Sequence, residues 1–422
     1  MTEEFCLAKL PPSSTILDVG HAISETPAVE WEEARRIVVE TVRSAVRPPP
    51  VETVPLAQAH GRILAAKLEA DRDYPPLARS LRDGFAIHAA DAPGTLSVIG
   101  ETRAGESERS GLARGYAVEI MTGAPLPRGA DAVVMVEHVE HVGEKVTIPQ
   151  AARAGQFINR QGAEAQARAT LIPEGTRLDA SHIGTLAMTG HTAAAVYRKP
   201  SVAILSTGDE LVEVGSNPAP HQIRNSNSYS LAALVMAAGG KAVILPVARD
   251  TEPELLSSLE QGLRYDLLLI SGGVSAGKYD LVKPCLRKLG AEFLFERVKI
   301  QPGQPAAFGR VGSKFVFGLP GNPGSSMVTF LLFAKAALEL LAGRQEPLLP
   351  IVEARFEAPF EHRLGLTRFL PAHLGENRTL RHVPWQGSSD LPALARANAF
   401  LIADHNRERW AIGDSIRVML KP

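Results

Sequence analysis

The residues best placed for chemistry are glycines and acids that directly follow short apolar runs. Ser271, Gly272 and Gly273 end the apolar run 266–270, and a helical pattern resumes at Asp280. Glycine lets the backbone approach a ligand closely, and the N-terminus of a helix attracts anions through its unpaired N–H groups and its dipole. This arrangement predicts a binding site for phosphate or another anion.

The same stretch contains the glycine and lysine spacing of a nucleotide-binding P-loop. Gly272, Gly277 and Lys278 match Gly-x-x-x-x-Gly-Lys,. The next residue is Tyr279, however, and not the Ser or Thr that would bind magnesium,. We also find no apolar strand that ends in the Asp of a second motif. The sequence therefore argues against a nucleoside triphosphatase.

Four further apolar segments end in polar or glycine-rich motifs. These motifs are Ser-Thr-Gly-Asp-Glu at 206–210, Arg-Asp at 249–250, Gln-Pro-Gly-Gln at 301–304 and Leu-Pro-Gly-Asn-Pro at 319–323. The helical patterns between them lie at 228–238, 253–263, 281–289 and 325–341. This alternation predicts βαβ units and a mainly parallel, doubly wound sheet. Because ligands bind beyond the carboxyl ends of strands in such sheets, we expect the motifs to gather at one edge.

Composition limits the class of protein. A chain of 422 residues is too long for one core, and its formal net charge of −1 offers no basic field for nucleic acid,. Its two cysteines, Cys6 and Cys285, have no metal or disulfide spacing,. No uncharged apolar segment of about 18 residues is present, and the N-terminus lacks a signal-peptide pattern. We therefore expect a cytoplasmic protein with neither nucleic acid nor membrane as a partner.

Two local patterns in the first half have simple structural interpretations. Asp83-Gly84 between apolar residues is typical of a hairpin turn,. His138 and His141 lie three apart, so in a strand they would point to opposite faces and could not easily share a metal ion,. The region 96–148 is rich in Val, Ile and turn residues, which predicts a small β domain,.

Five motifs occur in a fixed order along the chain. They are Met-Thr-Gly-Ala-Pro at 121–125, Ser-Thr-Gly-Asp-Glu-Leu at 206–211, Ser-Gly-Gly-Val-Ser-Ala-Gly-Lys-Tyr-Asp at 271–280, Pro-Gly-Gln-Pro at 302–305 and Gly-Leu-Pro-Gly-Asn-Pro at 318–323. With Asp-Gly-Phe-Ala at 83–86, this set resembles the molybdopterin molybdenumtransferase family, which includes the E domain of gephyrin. The match runs from about Val29 to the C-terminus.

The resemblance implies a reaction and an architecture. The reaction is insertion of molybdate into the dithiolene of adenylylated molybdopterin, with release of AMP and help from Mg²⁺. The architecture is a homodimer of elongated subunits, in which the small β domain of one subunit meets the α/β domain of the other. The implied divisions are an extension at 1–27, predicted to be disordered, an N-terminal domain at 28–74 and 158–195, a small β domain at 75–157, a molybdopterin-binding α/β domain at 196–344 and a C-terminal β-barrel at 345–422.

The resemblance also assigns roles to individual residues. The implied catalytic residues are Asp83, Thr122, Glu164, Glu210 and Asp280. The implied metal ligands are Asp209, Glu210, Asp250 and Asp280. The implied substrate-binding residues are Ser206, Gly208, Asn225, Ser271, Gly272, Gly273, Ser275, Gln301, Gln304, Pro320, Gly321, Asn322, Ser325, Arg368 and Ser388.

Elementary chemistry agrees with these roles but leaves an alternative open. A pyrophosphate needs glycine-lined backbone and helix N-termini, which Asn322 as an N-cap before a proline would supply. Carboxylates at strand ends suit Mg²⁺ bridged to phosphate. Asp250 and Asp280 could, however, simply cap the helices that follow them,.

Departures from the family pattern concern the anion pocket and its neighbours. Relatives often have lysines at the positions of Gln301 and Gln304. Many relatives have Asp at the position of Asn225. Ala163 stands where relatives usually have Glu, and Glu164 stands where they usually have Asp. Losing a charge-assisted hydrogen bond of about 1.5–3 kcal/mol would weaken oxyanion binding roughly ten- to a hundredfold, unless a cation such as Lys299 or Arg368 compensates. Alternative functions are therefore a cofactor carrier or scaffold without turnover, or ATP-dependent adenylylation of molybdopterin.

Overall fold

The computed structural model describes residues 27–46, 48–108, 111–274 and 280–422. Nearly all of the N-terminal extension lies outside the described residues. The same is true of Ser275 and of the P-loop-like residues Gly277, Lys278 and Tyr279.

The centre of the fold is a six-stranded sheet built from the apolar runs of the second half. Four neighbouring strands are parallel, and the antiparallel strand Ala307–Val311 joins them to the edge strand. In spatial order the strands are Lys241–Ile244, Ser201–Ser206, Leu267–Ser271, Lys314–Leu319, Ala307–Val311 and Ala291–Phe295. The predicted mainly parallel sheet is thus confirmed.

Helices cover both faces of this sheet, which explains why its strands are apolar throughout. Leu267 and Leu269 pack in one buried cluster, whereas Leu268 and Ile270 pack in another on the opposite face. A strand buried on both sides has no polar face, so its sequence does not alternate. The covering helices are Ser226–Ala237, Glu252–Gly262, Val282–Lys288 and the run Pro323–Leu341.

The run Pro323–Leu341 is the longest apolar helix among the described residues. It consists of Pro323–Thr329, the π-helical turn Phe330–Ala334 and Lys335–Leu341. Within the described parts of the chain it alone has the length and composition to cross a membrane, but its 18-residue apolar window is 89% buried. It is therefore a core helix of the α/β domain.

The N-terminal half contributes one helix to the α/β core and two β-rich parts. Helix Trp31–Ala45 buries Trp31, Ala34, Val38 and Val42 in the core cluster. The first β-rich part is the small β domain. The strands of its sheet lie in the order Ala132–Met135, Gly84–Ile87, Tyr116–Ile120, Gly94–Thr102, Lys145–Ile148 and Glu140–Val142. The remaining part consists of Val51–Pro55, Leu56–Ala59, Leu68–Glu69, Arg79–Ser80, Ile158–Asn159, Thr170–Ile172, Ala180–Met188 and Ala193–Tyr197.

The hairpin interpretation of Asp83-Gly84 is wrong. Strand Gly84–Ile87 pairs with Tyr116–Ile120 and Ala132–Met135, and the preceding strand Arg79–Ser80 pairs elsewhere, with Ile158–Asn159. Asp83 therefore lies in a bend that enters the centre of a sheet. Close packing explains the glycine, because a Cβ at Gly84 would lie 1.9 Å from the Val134 carbonyl oxygen.

The C-terminal part is a closed β-barrel, as predicted. The strand order is Ile300–Gln301, Thr367–Leu374, Thr379–His382, Ile351–Phe356, Ser415–Leu420 and Ala399–Ala403. An additional pairing of Thr367–Leu374 with Ala399–Ala403 closes the sheet. The smaller elements are Phe360–Glu361, Arg409–Trp410 and helix Leu391–Arg396.

One predicted strand of the α/β sheet is divided between two sheets. The apolar run 293–300 leaves the α/β sheet at Phe295, and Ile300–Gln301 instead pairs in parallel with the barrel strand at Thr367 and Arg368. The charged residues Glu296 and Arg297 interrupt the run, and Glu296 forms an ion pair with Lys283. These charges explain why the strand does not continue in the α/β sheet. The Gln-Pro-Gly-Gln motif consequently does not lie at the edge of the parallel sheet.

Candidate functional site

A cleft of about 360 Å³, hereafter the first cleft, lies at the carboxyl ends of the parallel strands. Strand ends at Ser206 and Ser271 bring the motifs that follow them to one edge. The predicted residues that line it are Ser206, Gly208, Glu210, Asn225, Asp250, Ser271, Gly272, Gly273, Asp280, Gly321 and Asn322. Eleven separately predicted positions therefore meet in one cleft.

Behind the first cleft, a buried hydrogen-bond network fixes the start of helix Ser226–Ala237. The Ser206 hydroxyl donates to Asn225 Oδ1 at 3.1 Å, and Asn225 Nδ2 donates to Ser228 Oγ at 2.9 Å. Asn225 Oδ1 also accepts from the Ser228 backbone N–H at 3.2 Å, which makes Asn225 the helix cap. An uncharged amide suits this buried position, where an aspartate would need a partner for its charge.

The glycine loop after strand Leu267–Ser271 is shaped by a close backbone contact. Gly272 has φ +96°, and a Cβ there would lie 2.6 Å from the Thr207 carbonyl oxygen. A side chain is therefore excluded both by conformation and by space. The loop presents bare backbone to the cleft, which is what an anion-binding turn needs.

Acidic groups also line the first cleft. Burial raises the pKa of Asp250, and the charges of Asp209, Glu210 and Asp280 raise it further. The capping interpretation is wrong for Asp250 and Asp280, because Thr251 and Leu281 occupy the N-cap positions of the two helices. The repulsion among these carboxylates favours a bound cation.

The acids fit magnesium that arrives with a phosphate better than a preformed metal centre. Within the described ranges, no group of three or more metal-ligating side chains is arranged to hold an ion. Mg²⁺ usually retains several waters and takes only one or two protein carboxylates beside substrate phosphates. Glu210, Asp250 and Asp280 line the first cleft and offer such oxygen ligands.

A second cleft of about 530 Å³ lies between the α/β domain and the barrel. The predicted residues that line it are Gln301, Gln304, Ser325, Arg368 and Ser388. In the described lining Arg368 is the only basic side chain, and its buried Nε has no hydrogen-bond partner among the described residues. Lys299 does not line this cleft and instead pairs with Glu30 at 2.8 Å. Arg368 is therefore the cation available to an oxyanion here.

Asn322 joins the two clefts. It occupies the N-cap position before Pro323, as predicted, but makes no side-chain capping bond. Its Nδ2 instead donates to Ser388 Oγ in the C-terminal part at 2.9 Å, and the Gly324 N–H donates to the Ser388 carbonyl oxygen at 2.7 Å. Helix Pro323–Thr329 thus begins at the first cleft and carries Ser325 into the second.

Asp83 and Thr122 form a tight pair in the small β domain. One oxygen of Asp83, Oδ1, accepts from the Thr122 backbone N–H at 2.6 Å and from the Thr122 hydroxyl at 2.9 Å. These bonds, the backbone bond foremost, hold the pKa of Asp83 below its usual value. The second carboxylate oxygen stays available at the surface, so the pair presents a fixed negative charge.

Glu164 belongs to the same region of the chain as this pair. Its Oε1 accepts from Asn159 Nδ2 at 2.9 Å, and the strand of Asn159 pairs with that of Ser80. The Ser80 carbonyl in turn accepts from the Gly123 N–H, next to Thr122, at 2.8 Å. Asp83, Thr122 and Glu164 are thus linked through one set of strands, and none of the three lines the first or second cleft.

Sequence reasoning overlooked some residues that line the clefts. Thr207 and Asn227 line the first cleft, and Trp385 lines the second. The signal for Thr207 was its position inside the motif 206–211, and that for Asn227 was its place two residues after Asn225. Trp385 lies in the barrel, where no local pattern indicated a ligand. Besides Asp83, Thr122 and Glu164, the predicted residues Asp209 and Pro320 line neither cleft. Asp209 Oδ1 accepts from the Asp250 N–H, and the Pro320 carbonyl oxygen accepts from the Ser326 hydroxyl.

Comparisons with known proteins agree with this geometry. Residues 29–190 match the model described as MoeA N-terminal region (domain I and II), and residues 203–340 match a probable molybdopterin binding domain. A molybdopterin molybdenumtransferase of Nostoc sp. is 34% identical over 337 residues, 77% of each chain. That of Bacillus subtilis is 33% identical over 384 residues, 87% of this chain and 89% of its own.

A solved structure is also similar over nearly the whole chain. The molybdopterin biosynthesis MoeA protein of Pyrococcus horikoshii OT3 superposes with a TM-score of 0.78 at 29% identity. The similarity covers 94% of this chain and 100% of that protein. The four parts described above therefore occur together in a known architecture.

Proposed function

Because this chain belongs to the molybdopterin molybdenumtransferase family and acts in molybdenum cofactor biosynthesis, we propose that it inserts molybdate into adenylylated molybdopterin with release of AMP. The observation that carries the proposal is the junction of two unlike clefts. The first combines a bare glycine loop with acids, and the second holds Arg368 beside hydroxyl and amide groups. Asn322 and Ser388 connect them directly.

The two clefts suit the two ends of the reaction. The phosphates of the substrate would lie in the first cleft, where backbone at Gly272 and Gly273 is accessible,. Molybdate would lie in the second, where Arg368 supplies charge and Ser325 and Ser388 supply hydroxyl donors,. Water attacks the anhydride, which releases AMP and leaves the phosphate on molybdopterin. The two dithiolene sulfurs replace two oxo groups of molybdate, which leave as water with the two thiol protons and two protons from solvent, so molybdenum stays Mo(VI) and no oxidant or reductant is needed.

Magnesium is part of the proposal. Glu210, Asp250 and Asp280 would hold it through oxygen ligands at the rim of the first cleft,. When bound there, Mg²⁺ would neutralise negative charge on the phosphates. The chain's own contribution is to orient the anhydride along the glycine loop and to keep these carboxylates close enough to repel one another until a cation is present.

We further propose that a homodimer completes the site. Asp83, Thr122 and Glu164 form an exposed polar group that lines neither cleft of its own subunit. A second subunit would bring this group to the acids at the first cleft, with Asp83 ionised at neutral pH. A two-fold axis would place two equal sites in the dimer.

We place the reaction in the cytoplasm. The chain has two cysteines, and Cys285 is buried as a free thiol. A protein with few thiols and a free buried one suits a reducing compartment. Fractionation of cells that express the protein tests this location directly.

A coupled AMP-release assay tests the proposed reaction. Purified protein is given adenylylated molybdopterin, molybdate and Mg²⁺, and AMP and active cofactor are measured together. The unaltered protein should release AMP in step with cofactor formation, and Glu210→Gln should abolish both. Parallel reactions with tungstate in place of molybdate show which of the two anions the protein prefers.

The assay also separates two other functions. A carrier is favoured by the amides of Gln301 and Gln304, which leave Arg368 as the basic group of the second cleft. Tight binding of the substrate without AMP release would establish the carrier. Consumption of ATP in the absence of molybdate would instead identify an adenylyltransferase.

A further inference from the structure

Two buried polar atoms in the first cleft have no partner among the described residues. They are the hydroxyl Oγ1 of Thr207 and the amide Oδ1 of Asn227. The two side chains are only 4% and 9% exposed, and both residues line the cleft. Buried polar groups in folded proteins are nearly always hydrogen-bonded, so such a pair in a cleft points to a ligand.

The orientation of the Asn227 amide is fixed by its other contacts. Its Nδ2 donates to the Gly321 carbonyl oxygen at 2.6 Å and to Ser271 Oγ at 2.8 Å. A carbonyl oxygen can only accept, so turning the amide over would bring two acceptors together. Both Nδ2 hydrogens are thereby used, and Oδ1 is the atom that Asn227 has left for a ligand.

Thr207 and Asn227 flank the same residue at the end of the central strand. The Thr207 N–H donates to the Ser271 carbonyl oxygen at 3.0 Å, while Asn227 holds the Ser271 side chain. The Thr207 hydroxyl also faces the glycine loop, since a Cβ at Gly273 would lie 2.8 Å from its Oγ1. The cleft therefore offers a ligand a fixed acceptor at Asn227 and, at Thr207, a hydroxyl that donates or accepts,.

An acceptor at this position selects a particular kind of group. Phosphate and molybdate oxygens are themselves acceptors at neutral pH, so Asn227 Oδ1 cannot serve the anionic part of a substrate. Amino groups and ring N–H groups of a heterocycle are its natural partners. Resting on the proposed function, we propose that Asn227 is a specificity-determining residue that accepts a hydrogen bond from an N–H donor on one ring system of adenylylated molybdopterin, with the Thr207 hydroxyl as a second polar group in the same cleft.

Paired ligands that differ by one amino group test this inference. Calorimetry compares AMP with purine riboside 5′-monophosphate, and 6-hydroxymethylpterin with its 2-desamino analogue. In one of the two pairs the unaltered protein should prefer the amino form by roughly ten- to a hundredfold, because the analogue leaves Oδ1 unpaired. The pair that discriminates identifies the ring, adenine or pterin, that Asn227 contacts.

Variants separate this role from a structural one. In Asn227→Ala the ratio of the two affinities should fall to about one, because the variant has no amide oxygen that the amino ligand can bond or that the analogue would leave unpaired. Asn227→Ser, whose shorter side chain does not reach the same point, should give the same result if the alanine variant does not fold. The matched control is Ser228→Ala, which disturbs the network behind the cleft and should leave the preference at the unaltered level.

Three outcomes overturn the inference. If both pairs bind the unaltered protein without preference, or if the preference survives in the Asn227 variants, Asn227 does not read an N–H donor and the proposed reaction still stands. If neither AMP nor the pterin binds at all, this inference and the assignment of the first cleft to the substrate fail together.

Discussion

Asp83 and Glu210 offer a sharp test of whether two subunits build one site. Glu210 lines the first cleft, whereas Asp83 is bonded to Thr122 in the small β domain and lines neither cleft. Asp83→Asn and Glu210→Gln keep the shape of each side chain and remove its charge. Each variant alone is expected to lose about 10²-fold or more of its AMP release, as for removal of a catalytic or charge-stabilising group.

Mixing the two variants should restore activity by a fixed amount. Random association of equal amounts gives about half mixed dimers, and each mixed dimer contains one site with both native acids and one site with neither. The mixture should therefore release AMP at about one quarter of the unaltered rate. If both acids served the same subunit, every site would lack one of them and the mixture would stay inactive.

The assay needs proof that mixed dimers form. Co-expression with two different tags and sequential purification isolates the mixed species, which should then show about half of the unaltered rate. The matched control combines Asp83→Asn with the double variant that carries both changes, which contains no complete site in either arrangement. Inactivity of the purified mixed dimer, or a monomeric native protein, would refute the shared site.

Three further predictions concern other parts of the chain. Gln304→Lys should lower the molybdate concentration for half-maximal AMP release roughly tenfold, because it adds a cation to the second cleft. The control is Lys299→Gln, which lies outside the cleft. If Gln304→Lys left this molybdate concentration unchanged, the proposed role of Gln304 would be contradicted. Gly84→Ala should reduce the free energy of unfolding in urea by about 2 kcal/mol or more, because a Cβ would lie 1.9 Å from the Val134 carbonyl oxygen,; a loss within about 0.5 kcal/mol would show that the strand relaxes. Burial lowers the pKa of His382 below 6.5, so this side chain binds a proton more readily in the unfolded chain than in the folded one. The free energy of unfolding should therefore fall as pH decreases from 6.5 toward the pKa of the folded state. His382→Phe should flatten this part of the pH dependence, and an equal slope in both proteins would exclude His382 as its source.

The fold of the second half could be predicted well because its signals are local. The parallel strands that end at Ser206, Ser271 and Leu319 are apolar runs followed by a glycine within two residues. The predicted helix 253–263 agrees with the observed Glu252–Gly262 to within one residue. The barrel predicted at 345–422 contains all but one of the strands of its sheet, among them Ile351–Phe356 and Ala399–Ala403. Burial on one or two faces leaves a direct pattern in such sequences.

The division of the site into two clefts could not be predicted, because it depends on pairing between distant segments. Ile300–Gln301 joins a barrel strand at Thr367 and Arg368, and no local pattern specifies that partner. Asn322 has the sequence of a helix cap, yet its side chain bonds Ser388, which is remote in the chain. In the same way, the hairpin signal of Asp83-Gly84 was overridden by strand pairing with Tyr116–Ile120.

The first helix of the chain has a consequence for synthesis on the ribosome. Trp31, Val38 and Val42 pack against a core made from residues of the second half, and Val29 bridges to Val298. During translation this helix emerges early but finds its partners only after most of the polypeptide has been made. The small β domain, in contrast, contains all strands of its own sheet, so it can fold before helix Trp31–Ala45 has packed against its partners,. The apolar face of Trp31–Ala45 is therefore covered late in synthesis, although the segment itself is made early.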